Sequence, residues 1–469
     1  MDYANSAIKP GMDALMSRQA EADADPTRPI YHFTPPSGWM NDVNGPLFHK
    51  GEYHLFYQVN PYGTDARHGT HWGHTSSTNL AHWERLPLAV PPANDLGESA
   101  CYSGTAGFNN QGQPIILYTS TRKWDEGPGS NSRRAAEPFE QCAAIGNSNL
   151  MTWDRHPRNP ILTLEGDGYP DWDWKWRDPF IFREAGRTFL VIGMTGVGTP
   201  IYEDEVGDLV SWTYRGKLTD IDVECPNFFR LGDKWVLLTS SWTAVEYHIG
   251  DFDIGTYKFI PAVKGQLEPA RTFYGTNVLI EDDGRCLLFG RLLRTIPSMI
   301  WNGCMALPRE LTIGSDGHPK QSPVSEVEVL RGTHLSVPPL ELASESKVLE
   351  ARGDALEIYA KIVPGDADLS GLRLRRSDDG KDAVTVAYDH SSVIAAGIDM
   401  PHTLPAGRQE LELRIFLDKS VIEVFVDGGS KALTNYIDPG INNLGIELFS
   451  QGGSATFKGI DIWEMEPIR

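Results

Sequence analysis

The chain has 469 residues, 40% hydrophobic and 22% charged, which suits two to three domains of an ordinary globular protein. A formal net charge of −21 argues against a nucleic-acid backbone or an anionic membrane as partner and leaves a neutral, hydroxyl-rich ligand open. Gly and Pro are plentiful (46 and 32), aromatics reach 10%, and 13 residues are Trp, a mix that favours many short strands joined by turns over long helices.

The first residues, Met1-Asp2-Tyr3-Ala4-Asn5-Ser6, have neither a basic start nor an apolar stretch, so no secretory signal is visible. The expected location is cytoplasmic, although a secreted chain shortened by removal of its leader would read the same. No run approaches the length of a membrane span. Residues 11–24 set Met12, Leu15 and Met16 among Ala, Arg, Gln and Glu, the pattern of a short amphipathic lead-in helix. Pro26, Pro29, Pro35 and Pro36 then break any helix. Next comes Ser37-Gly38-Trp39-Met40-Asn41-Asp42-Val43-Asn44-Gly45-Pro46, rich enough in turn formers to read as a tight loop before an aromatic strand at residues 51–58. Asp42 stands there between amides, and taken alone it reads as turn chemistry, because Asx side chains bond their own backbone.

From there to about residue 320 the pattern is strand, turn, strand, with an internal echo. Asn79-Leu80-Ala81-His82-Trp83 returns as Asn149-Leu150-Met151-Thr152-Trp153 and as Asp208-Leu209-Val210-Ser211-Trp212, at spacings of 70 and 59 residues. A degraded copy lies near Gly255-Thr256-Tyr257-Lys258-Phe259. Repeats of this length predict the blades of a β-propeller, four to six of them, with the repeated Leu and Trp packed between blades. A connector follows over residues 321–345, and the strands beyond it alternate apolar and polar residues, as at 351–360, 410–417 and 420–427. That is the mark of a half-buried antiparallel sheet, here a β-sandwich serving as a support domain.

Candidate chemistry is sparse and specific. Cys101, Cys142, Cys225, Cys286 and Cys304 are isolated and odd in number, which indicates neither a disulfide framework nor a structural zinc. His68, His71 and His74 are spaced at i, i+3 and i+6, but the glycines between them oppose a helix and in a strand they would not share a face, so no metal is expected. Thr195-Gly196-Val197-Gly198-Thr199 has no helix after it and does not qualify as a nucleotide loop. Two more acids stand in settings like that of Asp42. Asp178 sits in Trp176-Arg177-Asp178-Pro179-Phe180, where a structural pair with Arg177 is the plain alternative. Glu224 sits in Val223-Glu224-Cys225-Pro226-Asn227, an acid among apolar neighbours whose desolvation would favour its protonated form; an exposed loop acid is the plain alternative. All three fall at an end of an expected inner strand in successive blades, where propeller side chains converge on the axis. Two carboxyl groups flanking a bond, one ionised and one protonated, are what glycoside hydrolysis requires, and a third can hold sugar hydroxyls.

On these motifs the chain resembles glycoside hydrolase family 32, the invertase, inulinase, levanase and levan fructotransferase family. Trp39-Met40-Asn41-Asp42-Val43-Asn44-Gly45 is similar to its W-M-N-D-P-N-G signature, Arg177-Asp178-Pro179 to R-D-P and Glu224-Cys225-Pro226 to E-C-P. Shorter matches run through Phe56-Tyr57-Gln58, Trp72-Gly73-His74, Tyr102-Ser103-Gly104, Leu307-Pro308-Arg309-Glu310-Leu311 and Glu423-Val424-Phe425. The resemblance implies an all-β fold: a lead-in over 1–28, a five-bladed propeller over 29–325, a connector over 326–345 and a β-sandwich over 346–469. It implies a retaining β-fructofuranosidase without cofactor, acting on a fructan, a fructo-oligosaccharide or sucrose. Asp42 would be the nucleophile, Glu224 the acid and base, and Asp178 the binder of fructose hydroxyls. Asn41, Gln58, Trp72, Ser103 and Arg177 would line the fructose pocket. The mechanism asks for a nucleophile and acid about 5–5.5 Å apart.

Three departures stand out. Val43 replaces the usual Pro and is expected to loosen the loop beside the nucleophile. Phe273-Tyr274-Gly275-Thr276-Asn277 stands where F-Y-A-P-Q is common, and Gly290-Arg291 where G-W is usual. The last two would face the leaving group, which points away from plain sucrose toward a fructan. Fructosyl transfer to a sugar hydroxyl, including formation of a difructose dianhydride as in levan fructotransferases, is the main alternative. A non-catalytic sugar-binding propeller is disfavoured by the retention of all three acids.

Overall fold

The computed structural model describes residues 3–65, 69–122, 139–164, 176–241, 243–292 and 300–468. They form two compact units, one of Met1–Ala22, Thr34–Gln266 and Tyr274–Met305, the other of Asp23–Phe33, Leu267–Phe273 and Ala306–Arg469. No helix among the described residues is long and apolar enough to cross a membrane.

The first unit is the propeller, and its five blades are antiparallel sheets taken in chain order. The first blade runs outward through Gly38–His49, Glu52–Asn60, His71–Ser77 and Glu84–Val90, and the short strand Trp301–Asn302 joins its inner edge in parallel, Gly38 opposite Trp301. The second opens with Glu98–Phe108, the third with Arg177–Glu184, the fourth with Asn227–Leu231 and the fifth with Phe273–Ile280 followed by Cys286–Leu292. The opening strands of the first four blades lie side by side, so their leading ends meet at one place.

The echoed segments are the turns from the third to the fourth strand of each blade. In each, the leading Asn or Asp side chain accepts backbone N–H groups, as Asn79 Oδ1 does from His82 at 2.9 Å and Asp208 Oδ1 from Ser211 at 2.8 Å. The Leu after it takes a left-handed conformation, φ 58° at Leu80, 62° at Leu150 and 60° at Leu209. The closing Trp indole then donates back to that Leu carbonyl at 3.1, 2.9 and 3.1 Å. The degraded copy is the equivalent turn of the fourth blade, with Tyr257 at φ 59°. Packing between blades follows: Leu150 and Trp153 join Phe56 of the first blade, and Leu209 joins Ile115 and Leu117 of the second.

Two local expectations change. The lead-in helix is Tyr3–Ser17, with a short turn of helix at Gln19–Asp23, and so begins upstream of residue 11. Gly11 does not start it. Gly11 is a contact point, where a Cβ would come within 2.7 Å of Leu88 Cδ1, and Leu15 is the buried residue of the apolar face. The segment from Gly38 is strand throughout, and its turn-rich composition has another cause, given below.

The second unit is the sandwich. One sheet is ordered Arg331–Val337, Ser454–Met465, Ala355–Val363, Leu411–Asp418, Val421–Val426, Lys431–Tyr436, with Leu340–Ala343 also on the long C-terminal strand. The other is ordered Ser346–Arg352, Gly445–Gln451, Leu369–Arg376, Val384–Tyr388, Ser392–Ala395, Ile398–Pro401. Alternate residues such as Ile358, Ala360 and Ile362 or Leu413, Ile415 and Leu417 meet in one core, each large one worth roughly 2 kcal/mol of burial. The stretch read as a connector is itself ordered: a 3₁₀ turn at Ser325–Leu330, then two strands, because their partner Ser454–Met465 is long enough to pair with both.

Charges are also buried in this unit. His32 Nδ1 lies 2.8 Å from Asp418 and Nε2 2.9 Å from Glu423, while the backbone N–H groups of Ile30, Tyr31 and His32 all donate to Asp418. Arg309 reaches Glu268 and Glu423 at 2.5 and 2.6 Å. These ties pin the 23–33 segment to strands some 390 residues further along, as the separation of 391 between His32 and Glu423 shows.

Candidate active site

Asp42, Ser103 and Asp178 are set by the same backbone device. In the first blade Met40 faces Val59 and Val43 faces Tyr57, so Asn41 and Asp42 together oppose Gln58. In the second, Cys101 faces Ser120 and Gly104 faces Tyr118, leaving Tyr102 and Ser103 opposite Thr119. In the third, Arg177 faces Gly193 and Phe180 faces Val191, leaving Asp178 and Pro179 opposite Ile192. Each is a β-bulge, one extra residue that bends the strand and re-aims a side chain. The fourth blade reaches a similar end just before its strand, where Cys225 is left-handed at φ 49° and the Ser240 N–H bonds the Glu224 carbonyl. Asp178 is left-handed too, at φ 63°, a conformation rare outside Gly, Asn and Asp. A bulge needs residues tolerant of irregular backbone, and that is why the Trp39 motif looks like a loop in the sequence.

The side chains so delivered meet in one pocket lined by Asp42, Ser103, Asp178, Cys225 and Gly275. Ser103 Oγ donates to Asp42 Oδ2 at 2.7 Å, and Arg291 Nε donates to Asp42 Oδ1 at 3.2 Å. The Cys225 thiol, 3.7 Å from Asp42 Oδ2 and 3.6 Å from Asp178 Oδ2, stands between the two acids. Burial raises its pKa well above the usual thiol value, so it serves as a weak S–H donor. Asp178 also accepts the Cys225 backbone N–H at 3.2 Å and has Arg177 Nε 3.5 Å away. Burial pushes the Asp178 carboxyl up to about 7; Arg177 opposes this, and Glu224 and Asp42 add to it.

Glu224 differs from expectation. Its neighbours are polar, because the blade ends that converge on it carry charge and hydroxyl: Arg177 Nη2 donates to Oε1, and the Tyr274 hydroxyl lies 2.8 Å from Oε2 and 2.7 Å from the Ser240 carbonyl.

Of the expected pocket residues, Ser103 and Arg177 touch the acids directly. Asn41 and Gln58 form a pair across the first bulge, Asn41 Nδ2 to Gln58 Oε1 at 2.7 Å, beside Asp42. Trp72 is fully enclosed, its indole donating to the Tyr102 carbonyl at 2.9 Å, so a sugar would reach it only through its neighbours. Val43 lies in a strand and not in a loop: it is 1% exposed, resumes the ladder opposite Tyr57 and has its carbonyl bound by Asn277. Gly275 and Arg291 were visible in the sequence only as departures, and Tyr274 only as a neighbour of one; Tyr274 bonds Glu224, Arg291 bonds Asp42 and Gly275 packs against Asp42. Of the three spaced histidines, His68 lies outside the described residues. His71 bonds the Gly69 carbonyl and His74 bonds His54. Among the described residues no cluster of three His, Cys, Asp or Glu could hold a metal ion.

Comparison with known proteins bears on this arrangement. The model of the glycosyl hydrolases family 32 N-terminal domain matches residues 32–323, and that of the family 32 C terminal matches 326–464. A levanase of Bacillus subtilis is 28% identical over 94% of this chain and 71% of its own length. A sucrose-6-phosphate hydrolase of Escherichia coli is 29% identical over 93% of this chain and 94% of its own. Among solved structures, a β-fructofuranosidase of Bombyx mori superposes with a TM-score of 0.80 at 25% identity, covering 99% of both chains. Fructan 1-exohydrolase IIa of Cichorium intybus shares the fold, with a TM-score of 0.82 at 22% identity over 94% of this chain and 98% of the other. With both domain models matched in order along nearly its whole length, this chain belongs to glycoside hydrolase family 32.

Proposed function

We propose that the protein is a retaining β-fructofuranosidase that releases fructose from the end of a fructan or fructo-oligosaccharide, with sucrose as a further substrate. The observation that carries the reading is that the buried Asp178 is tied to both other acids, to Asp42 through the Cys225 thiol and to Glu224 through Arg177. Asp42 is held at both oxygens, by Ser103 and Arg291. Glu224 is held through Arg177 on Oε1, which leaves Oε2 as the oxygen that can carry a proton, because a guanidinium only donates.

Chemistry follows in two steps. Asp42 attacks the anomeric carbon of the fructosyl unit as the glycosidic bond breaks, and Glu224 Oε2 gives its proton to the departing oxygen. Water then attacks the same carbon, Glu224 takes its proton, and the Asp42 carboxylate leaves. Tyr274 suits both protonation states. It donates to the Ser240 carbonyl while accepting from a protonated Glu224, or turns its hydrogen to Glu224 once the proton has gone. Asp178, largely protonated below neutral pH, can both donate to and accept from fructose hydroxyls. The names of the relatives, a levanase and a sucrose-6-phosphate hydrolase among them, support the substrate class.

The test is product analysis on sucrose, inulin and levan side by side, with proton NMR of the first-formed anomer. Free fructose of retained configuration is expected, and Asp42→Asn should lower turnover by about a thousandfold or more. An inverted first product would overturn the mechanism. A cyclic disaccharide in place of free fructose would replace hydrolysis by transfer.

A further inference from the structure

Two departures from the usual family pattern, Gly275 and Arg291, lie on adjacent strands of the fifth blade and converge on one atom, Asp42 Oδ1. Arg291 Nε donates to that oxygen at 3.2 Å. Gly275, at φ 56°, passes so close that a Cβ there would overlap Oδ1 and come within 2.7 Å of Asp42 Cγ. A methyl group at 275 would therefore displace the oxygen that Arg291 holds. We infer that Gly275 and Arg291 act as a coupled pair that positions the nucleophile carboxylate, Gly275 by leaving the space and Arg291 by fixing the carboxylate in it. The inference rests on Asp42 being the nucleophile.

Other features of Arg291 point the same way. It is 5% exposed, and its guanidinium lies over the Tyr274 ring at 4.9 Å, which links it to the residue on Glu224. Its Nη1 has no acceptor among the described residues. Buried Arg309, by contrast, leaves only its Nε without an acceptor among them and uses both terminal nitrogens: Nη1 reaches Glu268 and Gln321, and Nη2 reaches Glu423 and Thr434. Arg291 instead directs its Nε at the nucleophile. Its effect on the two chemical steps has opposite signs. A guanidinium stabilises the free carboxylate, so it restrains attack and favours carboxylate departure from the fructosyl-enzyme. With Arg291 in place the second step is helped relative to the first; without it the covalent intermediate should build up.

The experiment is a double-mutant cycle with a pre-steady-state arm. R291M, R291K, G275A and G275A/R291M are assayed on sucrose and inulin beside wild type and D42N, with thermal midpoints measured for all. R291M and G275A are each expected to lower kcat by about tenfold or more, with KM falling alongside kcat in R291M because the covalent intermediate accumulates and staying within about threefold in G275A, and R291K to recover part of the loss. The double variant should lose no more than about twofold beyond the worse single one, because an Asp42 released from Arg291 can turn away from a methyl at 275. R291M, unlike wild type, should show a burst of glucose from sucrose before steady state. Multiplicative losses in the double variant, or an R291M enzyme with wild-type kcat and no burst, would overturn the coupling. If instead wild type released no fructose, or D42N kept its activity, the nucleophile assignment itself would fall, and the two failures are thereby told apart.

Discussion

Replacing Asp178 by Asn separates what this residue does for the site from what it costs the fold. Burial raises the carboxyl from its ordinary 3.8 to about 7, despite Arg177. An acid whose pKa is raised on folding binds its proton more tightly in the folded state than in the unfolded one. The stability this represents is complete below pH 3.8 and is lost progressively as the pH rises to about 7. The gap is about 3 pH units, and at 1.36 kcal/mol per unit the loss is about 4 kcal/mol. The side chain is only 7% exposed, so solvent screens little of it. Asn has nearly the same shape and no proton to lose. Wild type and D178N should therefore melt together near pH 4 and diverge as the pH rises, the variant higher, with the difference level above about pH 7.5. At roughly 2 °C per kcal/mol for a domain of this size, the plateau is about 8 °C. Scanning calorimetry across pH 4–8.5 measures it, and turnover on sucrose should fall in the same variant by about tenfold or more. A difference independent of pH, or a variant less stable than wild type at pH 8, would refute the reasoning.

Two other outcomes follow from single contacts. Tyr274→Phe removes the hydroxyl shared by Glu224 and the Ser240 carbonyl; a hydrogen bond to a charged group is worth about 1.5–3 kcal/mol, so kcat should fall roughly ten- to a hundredfold with KM little changed, and an unaltered kcat would reject the relay. In the sandwich, burial pulls the His32 pKa down, but hydrogen bonds to Asp418 and Glu423 outweigh it and hold the ring up to about 9. That stabilisation is complete below pH 6.5 and is lost as the pH rises through 9, so the melting temperature should decline between pH 7 and 10. His32→Gln should remove that slope and melt lower at pH 6, because two buried carboxylates lose their partner.

Much of the fold was legible because it is repetitive or alternating. The Leu and Trp echo is a turn that needs an Asx acceptor, a left-handed residue and an indole donor in fixed order, so three blades announced themselves by composition alone. The sandwich strands showed their two faces as alternation. The site was legible in part for a different reason: Asp42, Asp178 and Glu224 stand in short motifs whose oddity reflects the backbone. What stayed hidden depended on contacts between distant strands. Nothing local marks Tyr274 as the partner of Glu224, 50 residues earlier, or Arg291 as the partner of Asp42, 249 residues earlier. Apolar neighbours in sequence suggested a dry setting for Glu224; neighbours in space supplied a guanidinium and a hydroxyl instead.

The same reasoning explains why the irregular backbone and the raised pKa occur together. Regular strands would point alternate side chains away from the axis and keep the acids apart. Bulges at Asp42, Ser103 and Asp178, with left-handed residues at Asp178 and Cys225, turn them inward at a cost of roughly 1–3 kcal/mol for each sparsely populated conformation. Three carboxyl groups are then tied to two guanidinium groups, Asp178 and Glu224 to Arg177 and Asp42 to Arg291. Three negative charges against two positive leave one in excess, and protonation of Asp178 near neutral pH removes it. In the proposed mechanism Asp178 is the acid left to carry the proton, since there Asp42 attacks as a carboxylate and Glu224 cycles between both forms. A variant that made Asp178 permanently neutral should therefore gain stability above neutral pH while losing the carboxyl that meets the fructose hydroxyls, and D178N tests both halves of that statement at once.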